Sequence, residues 1–348
     1  MTLVERYAPA NSRSSSGDAS RLLRFGHGEG DGNDEWYTRS AWRARELWLS
    51  IGEEENRELL APTGAVWFAT SPNGWESAAE QTMRAAGVPS ERLAPVDLAE
   101  LFPDVHTEDL HFGLYEPAAG VLRAAESVHV LVGRARRRGA QVVSGTATPH
   151  ADGVIVDGRL LGADRVIWAA GAWLGSLFPR WANVTPTRQH VFYWDSPPAW
   201  QRGPAWLEND RHVYGFPDLD GVGLKATSDR IGPPVDLEQP SRRPDPVVES
   251  EVARYLAHRF PALSDVPLLR TAVMHYEVRP GRTFLIGPLP DQDRVWLMGG
   301  GSGHGFKHGP ALGEYVADVL EGHRDLEPRF TVSGPVGAAS SAGSSPNR

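Results

Sequence analysis

The decisive stretch of this sequence reads Met298-Gly-Gly-Gly-Ser-Gly-His-Gly-Phe-Lys307 and leads into an apolar pattern that predicts a helix over residues 310–320. A strand, a glycine loop and a helix in this order bring backbone N–H groups and the positive end of a helix up to an electron-rich ligand. A plain tight turn also explains many glycine runs, so the glycine residues alone are weak evidence for a ligand site. Predicted helices and strands alternate in both halves of the chain, which favours a mixed α/β fold.

Working outward from that loop, the hydrophobic pattern predicts several further elements. Strands are expected over residues 2–6, 64–70, 141–144 and 154–156, with a buried strand over 165–169. Helices are expected over residues 40–53, 76–86 and 126–138, the last two ended by Gly87 and Gly139. Residues 331–348 are almost entirely small or polar, so we expect a disordered tail there.

Composition excludes several classes of function. The net charge of −9 argues against a nucleic-acid partner, because a phosphate-binding surface needs concentrated positive charge. The basic cluster at 134–138 is short and reads as the solvated end of a helix. Without cysteine there is no disulfide, thiolate metal site or cysteine nucleophile, which favours a cytoplasmic location. No apolar run is long enough to cross a membrane, and no residue cluster has metal-ligand spacing.

The lysines are unusually few. Of the 35 Lys and Arg residues, only Lys225 and Lys307 are lysines. A codon bias toward arginine, with two lysines remaining by chance, explains such a count equally well. A buried lysine changes its pKa readily and arginine does not, so a reaction site can require lysine. The positions of the two lysines therefore decide between the explanations.

Several segments, in order and at similar spacing, resemble the sarcosine oxidase and N-methyltryptophan oxidase family of flavin-dependent amine oxidases. The glycine loop with Lys307 is similar to the last flavin-binding segment of that family. The other matching segments are Gly17-Asp-Ala-Ser-Arg-Leu-Leu-Arg24, Gly28-Glu-Gly30, residues 46–68, residues 115–122, Ala169-Ala-Gly-Ala-Trp173, Arg188-Gln189, and residues 214–217 and 223–225. Both lysines fall on active-site positions of the family, which favours function over codon bias.

The resemblance implies a two-domain flavoprotein with a Rossmann-like FAD-binding domain and an antiparallel sheet that roofs the flavin. The FAD-binding domain is expected to be discontinuous, over residues 1–53, 119–183 and 271–330. The substrate domain is expected over residues 54–118 and 184–270.

The resemblance also assigns the candidate site. It implies that Lys225 promotes the reaction with O2, that Arg24 and Lys307 clamp a substrate carboxylate, and that Tyr214 and Tyr276 lie near the substrate. The implied FAD-binding residues are Glu5, Ser16, Arg21, Gly171, Gly301, Gly303, His304, Gly305 and Lys307.

The residue types alone leave alternatives open for these positions. Arg21 and Arg24 could also be surface residues on a helix, and Tyr214 could be an aromatic residue on a strand that packs into a core. His304 equally suits a structural histidine, and Glu5 suits a solvent-facing strand end.

Three departures from the family pattern matter. The G-x-G-x-x-G fingerprint is expected roughly 20 residues before the ribose-binding acid, which the resemblance places at Glu5. The given sequence therefore lacks this fingerprint. A misplaced start codon, a fragment, or a protein that has lost its cofactor would each give such a sequence. Met274 occupies the position of the cysteine that binds flavin covalently in many members, so we expect non-covalent FAD. Asp229 replaces a histidine, which would weaken the positive field and change substrate preference.

The predicted activity is oxidation of a C–N bond in a small amino acid or N-alkyl amino acid, with O2 reduced to H2O2. The alternatives are an amino-acid dehydrogenase that uses another acceptor, and a non-catalytic binding protein. We expect a monomer or small homo-oligomer that binds neither a membrane nor a metal.

Overall fold

A computed structural model of the chain describes residues 1–30, 32 and 34–332. From residue 333 onward, the predicted tail lies outside the described residues. No described helix combines the length and the apolar character that crossing a bilayer requires.

Four of the six described helices were predicted, and the first of these begins at Asp34 instead of residue 40. The six helices are α1 Asp34–Glu55, α2 Trp75–Ala86, α3 Ala124–Arg137, α4 Leu174–Leu177, α5 Pro246–Arg259 and α6 Gly309–Leu320. Gly87 ends α2 in the left-handed conformation at φ +72°, and its N–H donates to the carbonyl groups of Met83 and Arg84. Helix α5, which was not predicted, begins with Asp245, whose side chain accepts from the Val247 N–H.

The strands are short and numerous. In the first half of the chain they are β1 Thr2–Glu5, β2 Ser20–Leu23, β3 Leu60–Ala61, β4 Ala65–Ala69, β5 Glu91–Leu93, β6 Phe112–Glu116, β7 Gly120–Arg123, β8 Gln141–Ser144, β9 Ala147–His150, β10 Gly153–Val156, β11 Arg159–Gly162 and β12 Val166–Trp168. In the second half they are β13 Thr185–Trp194, β14 Ala205–Glu208, β15 Val213–Phe216, β16 Leu224–Ser228, β17 Leu268–Val278, β18 Leu285–Leu289 and β19 Gln292–Gly299.

The largest sheet has the strand order β17-β13-β16-β15-β14-β4-β6-β5. Its pairs are antiparallel except β14 with β4, which run parallel, so the expected antiparallel sheet is in fact mixed. The predicted domain boundary at residues 270 and 271 lies within β17, which pairs with β13 along nearly its whole length. The smaller sheets have the strand orders β1-β8, β2-β7-β3, β11-β10-β9 and β12-β19-β18. Within them, β1 runs parallel to β8, and β12 runs parallel to β19.

The two faces of the large sheet have different roles. One face packs against α5 through an apolar cluster that includes Phe192, Leu224 and Ala226. Because side chains alternate along a strand, Tyr193 and Lys225 lie on the opposite face. That face looks toward β2 and the loop before it, and a candidate site forms there.

The strand at Val166–Trp168 is only partly as predicted. Trp168 is buried, but Ile167 is 42% exposed, so the expected buried strand is wrong for that residue. In the described residues β12 pairs on one side only, with β19. A strand with a single partner leaves alternate side chains uncovered, and an apolar run by itself cannot reveal this.

Candidate active site

Lys225 lies buried in the middle of β16 with only 2% of its surface exposed. Its Nζ donates to Asp18 Oδ2 at 2.9 Å and to the Ser20 carbonyl at 3.1 Å. Burial lowers the pKa of Lys225 to about 8, although the Asp18 carboxylate opposes this. Burial alone would raise the pKa of Asp18, but Lys225 and Arg21 outweigh it and hold that pKa well below its usual range.

Arg21 ties the loop before β2 together. Its guanidinium donates to the carbonyl groups of Ser15, Gly17 and Ser20 at 2.6–2.8 Å. It lies 3.4 Å from Asp18 Oδ2. These bonds occupy most of the hydrogen-bond donors of Arg21. Because Arg21 lies on a strand and its side chain is largely buried, it is not a surface residue of a helix.

Lys307 lies within a short 3-10 helix, Phe306–His308, that leads into α6. Its side chain is buried, and its Nζ contacts the Arg24 carbonyl at 3.0 Å and His27 Nε2 at 3.1 Å. Burial lowers the pKa of Lys307 well below its usual value, and the Arg24 charge adds to the effect. The Arg24 guanidinium stacks over Trp67 at 4.9 Å and donates to the Gly26 carbonyl.

A buried carboxylate fixes the loop that carries Arg24. Glu116 at the end of β6 accepts from the backbone N–H of Phe25 at 2.6 Å and of Gly26 at 3.1 Å. It also accepts from Trp67 Nε1 at 2.7 Å. With these three donors Glu116 anchors the backbone, and neither Arg24 nor Lys307 forms an ion pair with a carboxylate in the described part of the chain.

Tyr214 and Tyr276 lie together, as the sequence suggested. The Tyr214 hydroxyl donates to Tyr276, and burial raises the pKa of both phenols. Asp229 is close enough to act electrostatically on both, and burial raises its own pKa. His212 faces Asp229 with 3.4 Å between Nδ1 and Oδ1. The acid expected to alter substrate preference therefore lies beside the two tyrosines.

The glycine loop packs around Glu277, which the sequence did not single out. Glu277 Oε1 accepts from the Gly301 N–H at 3.1 Å, while Oε2 has no partner in the described residues. Burial raises the pKa of Glu277 to about 7. A Cβ added at Gly303, which has φ +89°, would meet the Tyr276 ring at 2.6 Å, so this position requires glycine. A Cβ added at Gly301 would meet Glu277 Oε1 at 2.9 Å, and the carboxylate would have to shift.

The remaining predicted cofactor residues occupy different places. Gly171, at φ +55°, lies near the glycine loop, because a Cβ there would lie 3.9 Å from Glu277 Oε2. Ser16 sits in the loop before β2 and donates to Ser14 at 3.2 Å. Glu5 ends β1 and accepts from the Tyr7 N–H at 3.1 Å. No contact in the described residues joins Glu5 to the two lysines.

His304 belongs to a buried ring cluster with His27, His308 and Tyr37. Its Nε2 lies 3.0 Å from the Arg282 carbonyl, and burial lowers its pKa to about 3. His304 is therefore neutral. Gly303 and Gly305, on either side of it, donate to no acceptor in the described part of the chain, and their N–H groups are open to a ligand.

Comparison with known proteins gives the family. The model of the FAD dependent oxidoreductase family matches residues 1–319. The chain belongs to this family. Its members use FAD, and the site fits that cofactor: unused glycine N–H groups precede a helix, two buried cations lie nearby, and a thioether replaces any thiol at Met274.

The curated relatives of this family member include amine oxidases. The monomeric sarcosine oxidase of Bacillus sp. (strain NS-129) is 27% identical over 340 residues, with 91% of this chain and 85% of the relative covered. The N-methyl-L-tryptophan oxidase of Salmonella typhi is 26% identical, with 92% and 88% covered.

Among solved structures, L-proline dehydrogenase from P. horikoshii superposes with a TM-score of 0.81 at 20% identity, covering 94% of this chain and 88% of that one. At this identity the match shows the fold alone. It confirms the predicted mixed α/β, FAD-binding architecture.

Sequence reasoning missed Asp18, Glu116, Glu277 and His27. Asp18 stands within the quoted Gly17–Arg24 stretch, and its position before a strand carried no sign of a lysine partner 207 residues away. Glu277 directly follows Tyr276, and an acid beside a predicted substrate tyrosine was a usable signal. Glu116 gave none, since an acid at the end of a strand is usually solvated.

Proposed function

We propose that this FAD-dependent oxidoreductase oxidises the C–N bond of a small amino acid or N-alkyl amino acid. FAD, when bound, accepts the hydride from the substrate and passes its electrons to O2, which becomes H2O2; the imine product hydrolyses. The protein's own residues bind the substrate, orient it and supply charge.

The observation that carries the proposal is the pair formed by the partly buried Arg24 and the buried Lys307. The two basic side chains are close enough for Arg24 to act electrostatically on Lys307, and they have carbonyl groups and a histidine as partners, with no ion-paired carboxylate in the described residues. Unpaired buried charge is costly, so such a site favours an anionic ligand. A guanidinium beside an ammonium suits the carboxylate of an amino acid. Asp229 acts electrostatically on Arg24 as well as on Tyr214 and Tyr276, so we infer that these three residues face the rest of the substrate.

The neighbourhood of Lys225 supports a role in the oxidative half of the reaction. Transfer of electrons to O2 builds negative charge, which a preorganised cation stabilises. Lys225 is held by Asp18 and by the Ser20 carbonyl, so its position is fixed before any reaction begins. We infer that Arg21, the glycine loop and Gly171 contact the flavin, and that Glu5 and Ser16 contact the remainder of the cofactor.

One observation favours the second candidate, an amino-acid dehydrogenase of the same family. Asp18 lies 2.9 Å from Lys225 Nζ and neutralises part of its charge. A weaker positive field would slow reaction with O2 and leave another acceptor to take the electrons. Both candidates use the same substrate site and differ only in the acceptor.

Other features of the proposal are expectations. The absence of cysteine favours a cytoplasmic location, and the net charge of −9 argues against a nucleic-acid partner. We also expect O2 as acceptor, by the resemblance, and a monomer or small homo-oligomer.

The first test is the visible spectrum of the purified protein before and after acid precipitation. We expect a flavin spectrum whose colour moves to the supernatant, because Met274 offers no thiol for a covalent bond. A screen of amino acids and N-methyl amino acids should then give peroxide in air. Turnover seen only with an artificial dye acceptor would favour the dehydrogenase, and a colourless protein after added FAD would contradict both candidates.

A further inference from the structure

The partners of Lys307 are unusual for a buried lysine. Its Nζ contacts the Arg24 carbonyl and His27 Nε2, and Lys307 and His27 are each only 3% exposed. A carboxylate partner would hold a lysine in its charged form. A neutral imidazole is different, because Nε2 accepts a hydrogen bond in one tautomer and donates one in the other. His27 can therefore pair with Lys307 in either protonation state.

Charged and titratable groups face Lys307 from several elements. They are Arg24, His27 and Glu29 from the segment after β2, Glu116 from β6, and His304 and His308 from the glycine loop and the 3-10 helix. Glu116 is engaged by backbone and indole N–H groups, and Glu29 lies toward the surface with His27 Nδ1 3.7 Å from its Oε2.

Electrostatics then decides which of the two neighbouring cations gives up its proton. Arginine keeps its charge in proteins, whereas a buried lysine readily becomes neutral. Burial and the Arg24 charge both lower the pKa of Lys307. An anion bound between them would reverse this effect, because an opposite charge at contact distance favours the charged form.

We propose that Lys307 is uncharged while the site is empty and takes up one proton when a carboxylate binds between it and Arg24, with His27 as the positioning residue that pairs with both forms. This inference rests on the carboxylate site of the proposed function. It adds that substrate capture is coupled to proton uptake. Carboxylate affinity should therefore fall as pH rises, by up to about tenfold per pH unit where the coupling is complete.

The test is calorimetric titration of the purified, flavin-loaded protein with benzoate, in two buffers that differ in protonation enthalpy. Benzoate carries the carboxylate and has no C–N bond to oxidise. We expect the binding heat to depend on the buffer as for uptake of about one proton. The K307R variant should bind benzoate without uptake, because the guanidinium is already charged. The K225R variant, which changes the only other lysine, should retain the uptake.

His27 is tested separately with H27F, which keeps a ring against Tyr37, 5.2 Å away, and removes the nitrogen. Loss of the acceptor disfavours the charged lysine, so the pH at which benzoate binding weakens should move lower. A merely structural effect would weaken binding equally at every pH, and would overturn the role given to His27.

Three outcomes overturn the inference itself. Binding heat that is independent of buffer in the wild-type protein would show that no proton is taken up. Uptake that persists in K307R would assign the proton to another group. No binding of benzoate at all would remove the carboxylate site, and the proposed substrate class with it.

Discussion

The two lysines of this chain lie in contrasting surroundings. Lys225 is paired with the Asp18 carboxylate at 2.9 Å, while Lys307 has a carbonyl and a neutral imidazole as partners. Both are buried, so the difference lies in the partner. The contrast teaches that burial alone does not assign a role: a lysine with a carboxylate partner keeps its charge through neutral pH, and one without is available to an incoming anion.

We expect the largest effect when the side-chain amine of Lys307, the lysine without an acid partner, is removed. We expect Lys307→Met to lower kcat/KM for the best amino-acid substrate by about 100-fold, because a buried charged contact to the carboxylate is lost. Steady-state kinetics on the flavin-loaded variant measures this. Lys307→Arg is the matched control and should recover a large part of the loss. An equal loss in both variants would point to misfolding of the glycine loop instead.

Removal of the acid from the other lysine should have a smaller effect. In Asp18→Asn the pKa of Lys225 should fall further, because burial still disfavours its charge and the opposing carboxylate is gone. We expect reoxidation of the reduced flavin by O2 to slow by about twofold at pH 7, since a fall of the pKa from about 8 to about 7 lowers the charged fraction of Lys225 from about nine tenths to about one half. Stopped-flow mixing with oxygenated buffer measures this rate. Faster reoxidation would mean that Asp18 suppresses the reaction with O2 and would favour the dehydrogenase.

Glu277 is the acidic counterpart of Lys307: within the described residues, one of its carboxylate oxygens has no partner and no cation forms an ion pair with it. Its pKa is raised from 4.5 to about 7 in the folded protein, so its ionisation costs stability as pH rises through this interval. Glu277→Gln should therefore stabilise the protein by about 1 kcal/mol above pH 7, after a discount for partial exposure, and by nothing near pH 4.5. Urea unfolding of the two proteins at both pH values tests this. Stabilisation that is the same at both pH values would contradict the assignment.

The pH dependence of the wild-type reaction gives the finest test. With the pKa of Lys225 lowered to about 8, its charged fraction is complete below that pH and falls above it. The rate of reoxidation should be level at acidic and neutral pH and halve near 8. A rate that rises through this range would exclude Lys225 as the cation that promotes the reaction with O2.

Local signals in the sequence predicted four of the six described helices and a minority of the described strands. Gly87 and Gly139 marked helix ends, the strand at Gln141–Ser144 has the predicted bounds, and the strand at Thr2–Glu5 ends one residue before the predicted bound. The Asp245-Pro246 pair carried an equally good helix start for α5, and it was overlooked. The rarity of lysine pointed to Lys225 and Lys307, because residue type and position are both visible in a sequence.

Long-range partners could not be predicted in this way. The contact between Lys307 and His27 joins residues 280 positions apart, and that between Lys225 and Asp18 joins residues 207 apart. Spacing along a chain says nothing about which groups a sheet brings together over such distances. The parallel pair β4 and β14 and the exposed Ile167 depend in the same way on neighbours that are remote in sequence.

The central claim is that Arg24 and Lys307 together receive a substrate carboxylate beside the flavin. Its most direct test is anaerobic titration of the flavin-loaded protein, following the visible absorbance of the flavin. Each amino acid or N-methyl amino acid is paired with the amine that lacks its carboxylate. We predict that the carboxylate-bearing member of a pair bleaches the flavin and that the matched amine does so far more slowly. Equal bleaching by both members would contradict the claim.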